Sequence, residues 1–319
     1  MRAIKAVSPA IQPQPENHAD CIPAAEPAAP APAGLRFRTV TAICCLAPVC
    51  DYLLWALYRQ DRFDLRPPAL PGEPVTERYG HFPQFAAARE APNPEAALAL
   101  LPEYEREELA LYDVPVAELR ARLESALPVY DSFLEHWQRE VKPLEENLLD
   151  TWRDQMKSNE PLSLFQRLAR LPLAHDRLHL FACYYHPSGS ALTPYPYLFT
   201  APFNRFGLEP TVAWFVGHEA THLLLDQSCW WETPAGQRGL ERYGSRHMAE
   251  EPLCFLLQNR LSSTCGLLPE EEMQRIDAAA APNIPLYLWL QERWDEYQES
   301  PERYPTLIEF FLDGLDRAG

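Results

Sequence analysis

Basic residues are scarce in this chain: 28 Lys and Arg stand against 45 Asp and Glu, for a formal net charge of −17. Nucleic-acid phosphates are gripped by clustered Lys and Arg. No such stripe occurs, which argues against a nucleic-acid partner. Glycine is sparse too, 12 against 33 prolines. The eight cysteines (Cys21, Cys44, Cys45, Cys50, Cys183, Cys229, Cys254 and Cys265) include no C-x-x-C pair. The chain is neither small nor cysteine-dense, so a disulfide framework is not called for. Several thiols lie in apolar runs, where Cys acts as a small hydrophobe. A reduced, cytoplasmic protein is expected, with export by a route independent of a signal peptide as the alternative. Arg2 and Lys5 are not followed by an apolar core of signal-peptide length. One run raises the membrane question, Thr39 to Tyr58, in which Asp51 is the sole charge. Pro48 and Asp51 near its centre favour a buried strand followed by a helix, and no membrane span is expected.

Residues 1–34 are rich in Ala and Pro without an apolar period, the composition of a disordered tail. Residues 35–319 are expected to form one domain, with a mainly helical part (35–176) and a second part (177–319). Pro67 to about Pro102 reads as an irregular excursion. Helical periodicity follows in Val116 to Leu127, in Val129 to Lys157 with a break or kink at Pro143, and in Leu162 to Leu171. Leu178 to Tyr185 reads as a strand and Pro187 to Ser190 as a turn. Ala191 to Thr200 reads as a second strand, which Pro194 and Pro196 confine to an edge or break. Gln227 to Arg246 is expected as a loop, and helices are expected over His247 to Cys265, Pro269 to Ala280, Pro285 to Glu299 and Glu302 to Arg317.

The chemistry is concentrated in Thr211 to Asp226, TVAWFVGHEATHLLLD. Pro210 suits a first helical turn, and no Gly or Pro follows the motif before Asp226. On a helix, His218 and His222 lie one turn apart on one face, where both imidazoles reach a single ion. Glu219 projects about 100° round from His218, placed to hold a water rather than the metal. Apolar residues fill most other positions, so this helix is buried on several sides, where three ionisable groups are costly without a cation. A third ligand is needed, and MAEEPLCFLLQNRL offers Glu250 and Glu251. Glu250 falls near the middle of that helix's apolar face and Glu251 near its edge. The buried carboxylate is the one that needs a partner, so Glu250 is the expected ligand; Glu251 fits a first-turn residue serving the helix dipole.

Strands, then a helix with His218-Glu219-x-x-His222, then a helix carrying a glutamate: this order over about Arg177 to Cys265 resembles the zincin metallopeptidases, in their glutamate-ligand branch. The resemblance implies a mostly helical α+β fold with a small sheet against the motif helix. It also implies Zn2+ held by His218, His222 and Glu250, with Glu219 as general base, and a peptide or protein substrate. In the thermolysin-like pattern an acidic residue stands four after the ligand glutamate; here it is Cys254, and Asp226 is the candidate to orient a ligand instead. For the oxyanion, Tyr243, His247, Arg246, His186 and Tyr185 are available by type. Two other classes stay open. Two histidines and a carboxylate also hold Fe2+ in oxygenases, and a zincin fold used only for binding is conceivable, though an intact Glu219 argues against it.

Overall fold

The computed structural model describes residues 37–58, 81–106, 115–186, 189–193, 195–200, 211–267 and 284–318. The Ala/Pro-rich tail, Pro210 and the segment Pro269 to Ala280 lie outside them. The fold is α+β and mostly helical, with a four-stranded sheet. Strand β1 (Thr41–Leu46) leads straight into helix α1 (Pro48–Tyr58), as the run from Thr39 to Tyr58 suggested. Short helices α2 (Phe82–Ala88), α3 (Pro94–Ala99) and α4 (Leu101–Arg106) follow, so the Pro-rich stretch expected as irregular is helical from Phe82. Pro83, Pro94 and Pro102 stand in first turns, where a missing N–H costs no helical hydrogen bond. Then come α5 (Val116–Ala126), α6 (Tyr130–His136), α7 (Lys142–Asn159) and α8 (Pro161–Ala169). Pro143 neither breaks nor ends the long helical run. A π-helical turn, Trp137–Val141, joins α6 to α7 just before it.

Strand β2 (Arg177–Ala182) pairs in parallel with β1. The expected second strand is two: β3 (Gly189–Leu192) and β4 (Tyr197–Thr200), an antiparallel pair in which Gly189 faces Thr200 and Leu192 faces Tyr197. The strand order is β1-β2-β4-β3, with β4 parallel to β2 and β3 at the edge. The motif helix α9 (Val212–Ser228) packs on β3 and β4, and it is followed by α10 (Pro234–Tyr243) where a loop was expected. Helices α11 (Arg246–Cys265), α12 (Pro285–Glu292), α13 (Trp294–Glu299) and α14 (Leu307–Arg317) complete the chain. Among the described residues no helix is long and apolar enough to cross a membrane.

Successive strand residues point to opposite faces, and here each face has its own core. Leu178, Leu180, Ala182 and Leu198 join α7 to α9, α11 and the C-terminal helices. Phe181, Cys183 and Phe199 join α1 to α6. Helices α7 and α8 belong to the core of the motif helix, to which they contribute Leu148, Trp152 and Phe165. Cys44, Cys45, Cys50, Cys183, Cys254 and Cys265 are free thiols, as expected; Cys229 is disulfide-bonded, so the fully reduced expectation fails there.

Two carboxyls, Asp51 and Glu145, are completely buried between the cores. Asp51 accepts from Trp137 Nε1 (2.9 Å) and Tyr185 N (3.1 Å), and Glu145 Oε1 accepts from Tyr184 N (2.8 Å). The pair thus pins the backbone where β2 turns toward β3. Burial pushes both pKa values up, Asp51 to about 6, and Glu145 well above its usual value with the facing Asp51 adding to the effect. Between the unfolded values near 4 and the raised folded ones, the native state holds protons that the unfolded chain has lost, so this contribution to stability is lost as pH rises. Glu145→Gln keeps the acceptor for Tyr184 and offers Asp51 an N–H. Its stability in urea should fall less between pH 5 and pH 8 than that of the wild type. Parallel pH slopes for the two proteins would show that the pair carries no such cost.

Candidate metal centre

Thr211 caps α9 by accepting from Trp214 N (3.1 Å), and Ser245 caps α11 by accepting from Met248 N (3.2 Å). Each cap satisfies a helix-end donor and fixes where the helix starts, and so its phase. The two helices then pack closely through Gly217: a Cβ there would lie 2.7 Å from Gln258 Cα, which only glycine avoids. This contact sets His218 and His222 directly against the turn of α11 that carries Glu250, Glu251, Cys254 and Gln258.

His218 Nδ1 lies 3.0 Å from Gln258 Oε1, and His222 Nδ1 lies 2.9 Å from Glu250 Oε2. A carboxylate only accepts, and so does an amide oxygen, so both Nδ1 atoms carry the proton. That leaves the Nε2 lone pairs of both rings free to face Glu251. Glu251 Oε1 is there, 3.5 Å from His218 Nε2 and 3.4 Å from His222 Nε2. Three electron-rich atoms so arranged repel unless a cation or added protons stand among them. Ligands 2.0–2.1 Å from a tetrahedral zinc are about 3.3 Å from one another, close to the two separations from Glu251. With protons alone, burial disfavours the charged imidazoles. The Glu251 carboxylate outweighs it at His218, and Cys254, Glu250 and Glu251 outweigh it at His222, so both pKa values are raised. Burial likewise acts to raise the Glu251 pKa, but His218 and His222 outweigh it and hold this carboxyl far below the usual range.

The expected ligand Glu250 is buried, as the helix phase required, but its carboxylate is engaged elsewhere. Oε1 accepts from Trp230 Nε1 (2.8 Å) while Oε2 takes His222 Nδ1. Burial correctly marked a carboxylate in need of a partner; the partners are an indole and the rear nitrogen of a histidine. Glu251, at the edge of the buried face, is the one that reaches the Nε2 side. Gln258 and Trp230 escaped sequence reasoning. Gln258 had a signal, standing two turns after Glu251 on the same helix face; Trp230 had none.

Glu219 is buried and does not join the histidine cluster. Burial raises its pKa to about 6, against the lowering influence of His218 and His222. It lies against the edge strand: a Cβ at Gly189 would run into Glu219 Oε1, so any larger residue at this position of β3 would displace that carboxylate. His218 is held between Trp214, stacked at 6.4 Å, and Phe255, edge-on at 5.1 Å. Cys254 Sγ sits 3.5 Å from His222 Nε2 and 3.7 Å from Nδ1. His218, His222 and Cys254 offer ligand atoms within 4.8 Å of one another, as do His222, His247 and Glu251. Near-equal approach to both nitrogens puts the Cys254 sulfur against the ring rather than along one lone pair, and burial pushes its thiol up to about 12. Cys254→Ala should therefore keep the affinity for zinc within about threefold, whereas loss of a true ligand abolishes stoichiometric binding; zinc titration against a fluorescent chelator separates the two.

The remaining candidates fall further out. Asp226 pairs with Arg246 (2.8 Å) rather than with His218 or His222, and Arg246 also stacks on Trp231. His247 is mostly exposed, stacked on His222 and 3.4 Å from Glu251 Oε1. His186 Nε2 lies 3.0 Å from both Gln84 Nε2 and Ser190 Oγ. Tyr185 is fully buried in the core on the far face of the sheet, away from α9. Tyr243 ends α10 and packs on the motif-helix core. In comparisons with known proteins the chain matches no family model, no curated protein and no solved structure.

Proposed function

We propose that this chain is a zinc-dependent metallopeptidase in which His218, His222 and Glu251 hold the ion and Glu219 is the general base. The observation that carries this reading is the convergence of two Nε2 lone pairs on the Glu251 carboxylate, each imidazole locked from behind by Gln258 or Glu250. Such rear hydrogen bonds fix the tautomer and orientation that metal ligation needs. Bound there, zinc would acidify a water toward a pKa of about 7 and polarise a peptide carbonyl. Glu219 is separate from the three ligands, buried, and seated against β3. An extended peptide added along β3, the last strand of the sheet among the described residues, through main-chain hydrogen bonds would run past that carboxylate. Glu219 would accept the proton of the attacking water and return it to the leaving amine.

The same donor set suits Fe2+ chemistry, and one experiment separates the two. Protein purified without chelators is assayed for metal content and then against a quenched-fluorescence peptide library. One zinc per chain is expected, with cleavage abolished by chelation and restored by zinc. One iron per chain without peptide cleavage would overturn the peptidase reading in favour of oxidation.

A further inference from the structure

Glu251 Oε1 has a third imidazole beside it. His247 Nδ1 lies 3.4 Å from this oxygen, as near as His222 Nε2 (3.4 Å) and His218 Nε2 (3.5 Å). Ring nitrogens from two helices thus converge on one carboxylate oxygen. His222, His247 and Glu251 bring ligand atoms within 4.8 Å of one another. The local sequence explains the placement: Ser245 caps α11, His247 falls in its first turn, and Glu251 stands one turn later on the same side.

His247 differs from the two motif histidines in how it is held. Their side chains are 13% and 12% exposed, and Gln258 or Glu250 locks each ring from behind. The His247 side chain is 71% exposed and rests on the His222 ring, 5.7 Å away and 25° from parallel. An ordinary i,i+4 ion pair with Glu251 would be worth about 0.3–0.5 kcal/mol and asks for no fixed ring orientation. The stack on His222 supplies one, and in it Nδ1 faces the oxygen that both motif histidines face. A catalytic zinc takes three protein ligands and keeps one position open, whereas four protein ligands close the site. His247 is the side chain placed to take that fourth position, and its exposure lets it leave without disturbing the core.

We propose that His247 Nδ1 is a fourth, displaceable ligand of the centre, which closes the coordination shell in the resting protein and gives way when a peptide enters. The assignment rests on the metallopeptidase reading above and makes the site self-shielding until substrate arrives. Ligation uses the neutral ring with its proton on Nε2. When the ring swings out, water takes the vacated position, and no proton or electron has to move. Glu251 anchors both parts, so its loss also frees His247 and leaves two histidines, too few to hold the ion.

The test uses full-length protein loaded with Co2+, azide as the probe of an open position, and the visible spectrum of the cobalt as the readout. In His247→Phe a ring still covers His222 but offers no ligand atom. Azide should bind this variant at least about tenfold more tightly than the wild type, as expected if the closed form holds about nine-tenths of the wild-type molecules. Imidazole added to His247→Ala should restore the weak azide binding of the wild type. Equal azide affinities in the wild type and His247→Phe would overturn the inference. Loss of stoichiometric metal from His247→Phe would overturn it too, by making His247 a permanent ligand. A wild type that takes up no Co2+ removes the metal centre itself, and this inference with it. The azide difference without any peptide cleavage by the zinc form removes the peptidase reading and leaves the fourth ligand standing.

Discussion

Glu219→Gln should retain one zinc per chain and lose peptide hydrolysis by about 10³-fold or more. The substitution is nearly isosteric, so the side chain keeps its place against Gly189. Neither Nε2 nor Glu251 is bonded to Glu219 in the cluster, so the ligand geometry survives the change. What disappears is the capacity to accept a proton from water, and positioned acid–base groups contribute about 10²–10⁴ to a rate. The measurement pairs metal stoichiometry with kcat/KM on one cleaved peptide. Full activity would remove Glu219 from the mechanism, and loss of zinc would make it a ligand. The second outcome would contradict its burial against the edge strand.

The motif helix and its burial were legible because four-residue spacing on a helix is a strong geometric constraint. The strand and helix of Thr41 to Tyr58 were legible for a similar reason, since Pro48 separates a β-branched run from a helical one. What escaped was mostly tertiary. Pro194 and Pro196 signalled a broken strand, and the break is a turn that sends β3 back beside β4 to become the edge at Glu219. The Pro-rich stretch up to Pro102 looked irregular because prolines count against helix interiors, yet Pro83, Pro94 and Pro102 stand in first turns. Trp230 follows α9 in what read as a loop, and nothing in the sequence joins its N–H to Glu250. The helix phase assumed for Glu250 was correct. The inference from burial to ligation was the weak step, because a buried carboxylate is satisfied by N–H donors as well as by an ion.

Replacing the two neighbouring glutamates in turn tests that step directly. Glu251→Ala should abolish stoichiometric zinc binding, since it removes the only carboxylate oxygen that faces both Nε2 atoms among the described residues. Glu250→Ala should keep the ion with affinity weakened about 10- to 100-fold, the usual cost of losing a group that orients a ligating histidine. The variants should also differ without metal. Glu250→Ala strands the buried Trp230 N–H, a loss of about 1–3 kcal/mol, so its melting temperature should fall in chelated protein. Glu251 is less buried and holds only the histidines, so in chelated protein at a pH where these are neutral its removal should cost little. Zinc titrations of both variants, and thermal melts of both with and without chelator, separate the two roles. If Glu250→Ala loses the ion and Glu251→Ala keeps it, the carboxylate now placed behind His222 must swing to its front when metal binds. The hydrogen bonds to Trp230 and Nδ1 would then describe only the metal-free protein. If both variants keep the ion, Cys254 or His247 completes the site, since each shares a ligand group with His222. A zinc held by Cys254 would give the d-d spectrum of a thiolate complex on cobalt substitution, whereas Glu251 predicts no sulfur-to-metal charge-transfer band.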